Sequence, residues 1–273
     1  MTKKFGIIGS PIKHSLSPIL HNYWFEKYKI NANYSIIEAK ESELSNVVKQ
    51  IKDKSLNGLN VTLPYKNKIV PFVDVLVNDA EITSSVNTVF LDDKETIIGD
   101  NTDVFGLQAA YLKEVDNFSD KKSLVIGAGG VAPSVILSLQ KSGAKNISII
   151  NRTQEKCFFL KKKFKTLNIL EWKNLKKEIS NFDLIINATS LGLKGGEDFS
   201  FNFDATKKNL IYIDTIYNPL ETRTLKYLKE KEIKVFNGLN MFIYQGKKSF
   251  YLWNKINPEI DQKLIDLLLE KLK

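Results

Sequence analysis

The stretch from Ser123 to Arg152 constrains this chain most. Ser123–Ile126 is a short apolar run rich in β-formers. A flexible corner follows, made of Gly127, Ala128, Gly129, Gly130 and Val131. Ala132–Lys141 then carries apolar residues at helical spacing, and Ile147–Ile150 is a second apolar run. Together they predict a strand–turn–helix–strand unit of about thirty residues, the size of a βαβ crossover. The glycines fit recognition of a dinucleotide. Gly127 allows the tight turn, Gly129 lets the backbone approach a pyrophosphate, and Ala132 takes the third position, where helix meets strand. The pyrophosphate then rests on the unpaired N–H groups and positive dipole end of the helix. Pro133, near the first helical turn, removes an N–H that has no helical partner anyway.

The end of the second strand bears on which dinucleotide. NAD sites usually carry Asp or Glu about twenty residues after the glycines, to hold the ribose hydroxyls. Here the position reads Asn151, Arg152, Thr153, with Lys156 one turn later. No carboxylate repels a 2′-phosphate there, and Arg152 presents a planar fork that can grip one. Arg152 is one of two arginines in a chain whose positive charge is nearly all lysine. The expected cofactor is NADP(H); the competing reading of Arg152 is a solvated charge after a strand.

At 273 residues the chain is long enough for a large core divided between two domains. Its hydrophobic fraction of 43% and charged fraction of 26% are those of an ordinary globular protein. No apolar run approaches the roughly 18–20 residues that span a bilayer, and the start resembles a strand rather than a signal peptide. Cys157 stands alone, which excludes an internal disulfide. With only His14 and His21 besides, no metal centre is expected. These features predict a reducing, cytoplasmic setting with no membrane partner. The net charge of +9 raises nucleic acid as a partner. However, the lysines are scattered along amphipathic segments, and no arginine-rich arm or aromatic RNA-binding signature is present. No nucleic-acid partner is therefore expected.

The chain opens with a strand at Phe5–Ile8. A polar loop leads to a helix through about Tyr28, with Ser17 as N-cap and Pro18 at the first helical position. The capping role leaves Ser15 unexplained, and two hydroxyls beside a helix start also suit a carboxylate. Tyr34–Glu38 reads as a strand, Glu41–Lys52 as an amphipathic helix and Leu59–Val61 as a third strand. Asn60 and Thr62 share one face of that extended segment, and Lys66 lies just beyond Pro64. Ligands of open α/β sheets sit at the carboxyl ends of strands. Lys66 therefore reads equally as part of a binding rim and as a surface lysine. Val86–Phe90 and Thr96–Ile98 form a hairpin, and a helix follows from about Val104 to Leu112. Asp103 stands at its start, where helix capping is a serious competing role. Strands at Phe182–Asn187, Leu210–Asp214 and Val235–Asn237 complete a parallel set. A helix opens at Gly238 with Gln245 on its apolar stripe, and the last helix is Pro258–Leu272. His14 and His21 are given no chemistry.

In order and spacing, Gly9–Asn22, Asn60–Lys66, Asn87 with Thr88, Asn101–Gly106, Gly127–Ala132, Asn151–Thr153, Asn187–Gly192, Asp214–Pro219 and Gly238–Gly246 together resemble the shikimate dehydrogenases. The resemblance spans nearly the whole chain. It implies an α/β protein of two domains: a split N-terminal α/β substrate domain and a Rossmann-like NADP-binding domain. The first is expected over residues 1–103 plus 238–273, the second over 104–237. It implies reversible NADPH-dependent reduction of 3-dehydroshikimate to shikimate, in the cleft between the domains, in the biosynthesis of chorismate and the aromatic amino acids. In that family, residues matching Ser15 and Ser17, assisted by Tyr217, hold the substrate carboxylate. Those matching Asn60, Thr62, Asn87 and Gln245 bond the ring hydroxyls. Lys66 and Asp103 match the pair at the reacting C3 oxygen. Thr189, Ser190, Gly238 and Met241 match residues lining the nicotinamide side.

The chain departs from the family pattern at Ser84–Val86, at Phe242 where Leu is usual, at Lys156 where Arg is frequent, and at Pro133. Two competing readings follow. One is a quinate/shikimate dehydrogenase with relaxed NAD/NADP use, against which Arg152 and the Ser15/Ser17 pair argue. The other is a catalytically silent NADP-binding regulator, which predicts loss of Lys66 or Asp103. Oligomeric state, monomer or homodimer, is not set by the sequence.

Overall fold

The computed structural model describes residues 2–273. The chain divides into two compact units, Met1–Asp103 with Ile243–Lys273, and Val104–Phe242. The first begins β1 (Lys3–Ile8), α1 (Ser17–Lys27), β2 (Ala32–Ile36), α2 (Leu44–Lys52) and β3 (Gly58–Val61). It continues with β4 (Val75–Leu76), α3 (Asp79–Thr83), β5 (Thr88–Leu91) and β6 (Ile97–Asp100). Its sheet runs β2-β1-β3-β5-β6-β4. β2, β1 and β3 are parallel, whereas β5 is antiparallel to both β3 and β6.

Strand alternation in this sheet decides which side chains can reach a ligand. Leu59 and Val61 of β3 point to one face and pack with Leu44, Val47, Val48 and Ile51 of α2. Gly58 and Asn60 point to the other face. A Cβ at Gly58 would come within 2.7 Å of the Trp253 ring, so only glycine admits that close approach. On this second face the Phe5 ring packs at a tilt against those of Phe25 and Trp253, with centroids 5.1 Å away in each case. Asn60 is thus a polar group on a buried, largely aromatic face, and it must find partners there.

α4 (Asp103–Ala110) carries the chain into the second unit. That unit contains β7 (Lys122–Ile126), α5 (Ala132–Lys141), β8 (Asn146–Asn151), α6 (Gln154–Lys163), β9 (Asn168–Glu171) and α7 (Leu175–Glu178). β10 (Leu184–Asn187), β11 (Ile211–Asp214), α8 (Arg223–Glu230) and β12 (Lys234–Phe236) complete it. The strands form one sheet in the order β12-β11-β10-β7-β8-β9, and every pairing is parallel. β7 is followed outward by β8 and β9. The chain then returns to its other side for β10, β11 and β12. The order reverses between β7 and β10, the switch point where doubly wound sheets bind ligands. The strands are buried on both faces, as Leu124, Ile126, Ile150, Ile185 and Tyr212 show on one and Val125, Ile149, Ile186 and Ile213 on the other. α9 (Leu239–Asn254) leads back to the first unit, which α10 (Gln262–Leu272) completes. Among the described residues, no helix is long and apolar enough to cross a membrane.

Most boundaries shift by one or two residues from the sequence expectation, and three of the differences matter most. Ser17 is the first residue of α1 rather than its N-cap, a position held by Leu16 with no side-chain cap. The Ser15 hydroxyl accepts the Ser17 N–H at 3.2 Å. The last helix begins at Gln262, not Pro258, because the Asp261 carboxylate accepts the Leu264 N–H at 3.0 Å and fixes the start there. β2 lies two residues earlier than expected, set by its register of Tyr34 opposite Phe5 and Ile36 opposite Ile7.

Candidate active site

In the first unit, the carboxyl end of β3 and the loop from Asp100 to Asp103 bring together the polar residues that the sequence spread over two hundred positions. Lys66 follows the turn after β3. Its neighbour Tyr65 is buried and anchored by its hydroxyl, which donates to the Ala39 carbonyl at 3.0 Å. The Lys66 Nζ lies 2.6 Å from Asp103 Oδ2, with the two side chains 12% and 6% exposed. An ion pair this sheltered is screened far less than a surface pair. Asp103 is held from both ends. The Asn101 side chain accepts its backbone N–H at 3.0 Å, and Asn87 Nδ2 donates to Oδ1 at 2.9 Å. Asp103 is the first residue of α4, but its carboxylate oxygens go to Lys66 and Asn87, and the side chain that accepts an N–H at this helix start is that of Asn101.

Asn87 ties this pair to the rest. Its Oδ1 accepts from the Thr102 N–H at 2.8 Å, and its Nδ2 also reaches Gln245 Oε1 at 3.3 Å. Asn60 Nδ2 donates to the Asn87 carbonyl at 3.0 Å, while Asn60 Oδ1 accepts from the Tyr34 hydroxyl at 2.8 Å. Thr62 comes against Gly9, where an added Cβ would lie 2.4 Å from Thr62 Cγ2. The Ser10 N–H bonds the Leu63 carbonyl at 2.9 Å, which brings the loop carrying Ser15 alongside Thr62. Lys66, Asp103, Asn87, Gln245 and Asn60 thus form one connected polar cluster, with Thr62 at the root of the serine loop.

Two polar residues that the sequence reading did not single out, Ser249 and Tyr34, complete the cluster. Ser249, one turn beyond Gln245 on α9, is fully buried. It accepts from Asn60 Nδ2 at 3.0 Å and lies 2.7 Å from the Thr88 hydroxyl and 3.2 Å from that of Thr102. Tyr34 fixes Asn60 from the far side. The signal for Ser249 was its i, i+4 relation to Gln245 on an otherwise apolar helix face. Tyr34 lies on β2 and offered no local signal. His21, in α1, stacks on Tyr34 with centroids 4.4 Å apart and planes 6° from parallel. It is wholly buried and neither ring nitrogen has a hydrogen-bond partner. Burial lowers its pKa from 6.5 to about 3, outweighing the opposing pull of the Asn60 side chain. His21 is a neutral ring of the core.

In the second unit, Gly127 follows β7 at the switch point with φ +109°, and a Cβ there would lie 2.7 Å from Thr189 Cγ2 and 2.8 Å from the Ala188 carbonyl. Glycine is demanded both by the backbone angle and by the space. Gly129 meets nothing within 4 Å of an added Cβ, so its exposed backbone is open to a bulky group. α5 begins at Ala132 beyond Gly130 and Val131; the Ala132 N–H donates to the Gly129 carbonyl at 3.2 Å, and Pro133 has no N–H. The Ala128 N–H donates to Asn151 Oδ1 at 3.2 Å, linking the glycine turn to the end of β8. Arg152 is exposed and pairs with Glu197 at 3.3 Å; Thr153 and Lys156 are exposed beside it. A solvated pair of this kind contributes little, so Arg152 can exchange Glu197 for a phosphate at small cost. Open glycine backbone and an available guanidinium fit a 2′-phosphorylated dinucleotide.

Thr189, on the turn after β10, donates its hydroxyl to Asn187 Oδ1 at 2.7 Å, and Ser190 follows it, exposed. Gly238 precedes α9; its N–H donates to the Ile216 carbonyl at 2.7 Å, and a Cβ would lie 2.3 Å from the Thr215 carbonyl. The Met241 N–H donates to the Tyr111 hydroxyl at 3.2 Å, and the Tyr217 ring packs on Phe242 at 4.8 Å.

The chain matches known proteins closely in sequence and fold. A family model described as the shikimate dehydrogenase substrate binding domain matches residues 7–89, and one described as shikimate / quinate 5-dehydrogenase matches residues 110–199. Over 268 residues, 98% of this chain and 99% of the relative, the chain is 46% identical to shikimate dehydrogenase (NADP(+)) of Pelagibacter ubique. The chain belongs to the shikimate dehydrogenase family. A solved shikimate dehydrogenase in complex with NADP+ superimposes with a TM-score of 0.91 at 34% identity, covering 100% of this chain and 96% of that one. A shikimate 5-dehydrogenase from Listeria monocytogenes, in complex with shikimate and NAD, gives 0.85 at 32% identity, covering 98% of this chain and 96% of the other. The two units accordingly carry the shikimate dehydrogenase architecture, a substrate domain that begins at the N-terminus and a Rossmann-like nucleotide domain.

Proposed function

We propose that this chain catalyses the reversible, NADPH-dependent reduction of 3-dehydroshikimate to shikimate, a step of aromatic amino-acid biosynthesis, and that it does so in the cytoplasm. The observation that carries the reading is the sheltered Lys66–Asp103 pair, 2.6 Å apart and tied by Asn87 to Gln245. Residues 1–103 and 238–273 form the substrate-binding part and residues 104–237 the nucleotide-binding part. Bound NADPH supplies the hydride.

The protein has then to orient the ring and manage one proton. Ser15, Ser17 and Tyr217 offer three hydroxyls to the substrate carboxylate, two of them beside the start of α1. Asn60, Thr62, Asn87 and Gln245 offer amide and hydroxyl partners for the ring hydroxyls. Leaving such groups unpaired in a buried site costs about 1–3 kcal/mol each, so they select against a ring with misplaced oxygens. As the C3 carbonyl accepts hydride, its oxygen gains negative charge. The Lys66 ammonium stabilises that charge and donates the proton, and Asp103 holds Lys66 and accepts from the new hydroxyl. Gly127, Ala128, Gly129, Gly130, Val131 and Ala132 seat the pyrophosphate, Asn151, Arg152, Thr153 and Lys156 the 2′-phosphate ribose, and Thr189, Ser190, Gly238 and Met241 the nicotinamide.

The test is the initial rate of nicotinamide reduction with shikimate or quinate, each with NADP or NAD. Turnover with shikimate and NADP, and little with the other pairs, is expected. Comparable rates with NAD or quinate replace the reading by a broader quinate/shikimate dehydrogenase. No turnover with any pair leaves a nucleotide-binding protein without this catalysis.

A further inference from the structure

Asp214 ends β11 in the second unit, and nothing in the proposed chemistry uses it. It is nevertheless fully buried, and among the described residues no lysine or arginine pairs with it. A carboxyl group in that setting is costly unless its oxygens are well satisfied. Three donors converge on it. Asn187 Nδ2 donates to Oδ1 at 3.1 Å, the Ile216 N–H donates to the same oxygen at 3.0 Å, and the Thr222 hydroxyl donates to Oδ2 at 3.0 Å. Burial still pushes its pKa up to about 7 against these bonds.

Each donor leads onward. Asn187 ends β10; its Nδ2 donates to Asp214 and to the Leu191 carbonyl, both at 3.1 Å, which together turn its Oδ1 toward the next residues, where it accepts the Thr189 N–H at 3.0 Å and the Thr189 hydroxyl at 2.7 Å. Thr189 Oγ1 in turn accepts the Leu191 N–H at 3.0 Å, closing the turn that packs on Gly127. Ile216, fixed by its N–H, presents the carbonyl that accepts the Gly238 N–H at 2.7 Å. One side chain therefore sets both the Thr189 turn and the backbone at Gly238, two separate segments assigned to the nicotinamide.

We infer that Asp214 is a positioning residue for the nicotinamide half of the nucleotide site, acting through Asn187 on Thr189 and through Ile216 on Gly238. The inference rests on the proposed dinucleotide site. It requires an acceptor at Oδ1 rather than a charge. Asp214→Ala removes that acceptor, whereas Asp214→Asn retains an oxygen there and lets the Thr222 hydroxyl rotate to accept from the new amide.

The experiment measures NADPH affinity by fluorescence, with KM for NADP and for shikimate, on wild type, Asp214→Ala and Asp214→Asn. Loss of this acceptor is expected to weaken NADPH and raise KM for NADP by about tenfold in Asp214→Ala, with Asp214→Asn recovering most of it. KM for shikimate stays within about twofold. Folded Asp214→Ala that binds NADPH as wild type does, or loses shikimate and NADP equally, overturns the inference. Should Asp214→Ala not fold, Thr189→Val and Thr189→Ser read the same linkage from its other end. Weakened NADPH binding in Thr189→Val, restored in Thr189→Ser, supports it, and unchanged binding in Thr189→Val overturns it. Wild type that binds no NADPH removes the functional reading and this inference together; wild type that binds while the variants match it removes the inference alone.

Discussion

His21→Phe offers a prediction whose size follows from the structure. The His21 ring is wholly buried among Trp24, Tyr34 and Trp253, and its pKa falls from 6.5 to about 3. A histidine with a depressed folded pKa binds protons in the unfolded chain first. Its contribution therefore favours unfolding progressively as pH falls below 6.5, and levels off only near 3. Going from about pH 7.5 to about pH 5 spans one and a half units below the unfolded value, which costs about 2 kcal/mol. Phenylalanine keeps the stacked ring, removes two buried nitrogens without partners, and cannot titrate. Stability at about pH 7.5 is expected to stay within about 1.5 kcal/mol of wild type. The acid-dependent loss is expected to shrink by about 2 kcal/mol. Asp214 acts oppositely, since its raised pKa gives stability at low pH that is lost as pH rises through about 7, but it is common to both proteins and cancels. Urea unfolding followed by tryptophan fluorescence is the assay, because Trp24 and Trp253 lie 5.7 and 5.2 Å from the His21 ring. Wild type and His21→Phe losing the same stability between the two pH values would refute the argument.

Other substitutions test the remaining parts of the site. Lys66→Ala is expected to lower kcat by about 10²–10⁴-fold while NADPH affinity stays near wild type; equal loss of both, by stopped-flow turnover and fluorescence titration, would contradict its role at the C3 oxygen. Arg152→Gln is expected to raise KM for NADP by about 10–100-fold and leave KM for NAD unchanged, and a parallel rise in both would return Arg152 to a solvated surface charge. Ser249→Ala removes an oxygen that serves Asn60, Thr88 and Thr102 at once, so calorimetry should show a loss of about 1–2 kcal/mol, and KM for shikimate should rise more than KM for NADP.

Much of this was legible in the sequence because the signals were local. Ala132–Lys141 is a helix to the residue, since its apolar spacing, its early proline and the preceding glycines all state one start. Lys66 and Asp103 were legible as positions, and the 2.6 Å between them was not, because it depends on how β3 and the Asp100–Asp103 loop pair through β5 and β6. Ser17 misled because serine before proline has the pattern of an N-cap, whereas the helix starts one residue earlier and Leu16 takes that position. The roles of Tyr34 and Asp214 were not legible for a shared reason: each acts through a partner 26 or 27 positions away, and no periodicity or motif encodes such a pairing. Ser249 left only its spacing from Gln245, while its partner Asn60 lies 189 positions away.

The division of the first unit also orders its assembly in time. Residues 104–242 are synthesised complete before Ile243–Lys273 exist, so the nucleotide unit has its whole sheet while the first unit still lacks α9 and α10. Until then the aromatic face around Phe5 and Gly58 has no Trp253, and Asn60 has no Ser249. A chain interrupted just after Phe242 would therefore retain a foldable nucleotide unit joined to an unfinished, sticky sheet. The last thirty or so residues act as the fastener of a domain whose first strand left the ribosome long before.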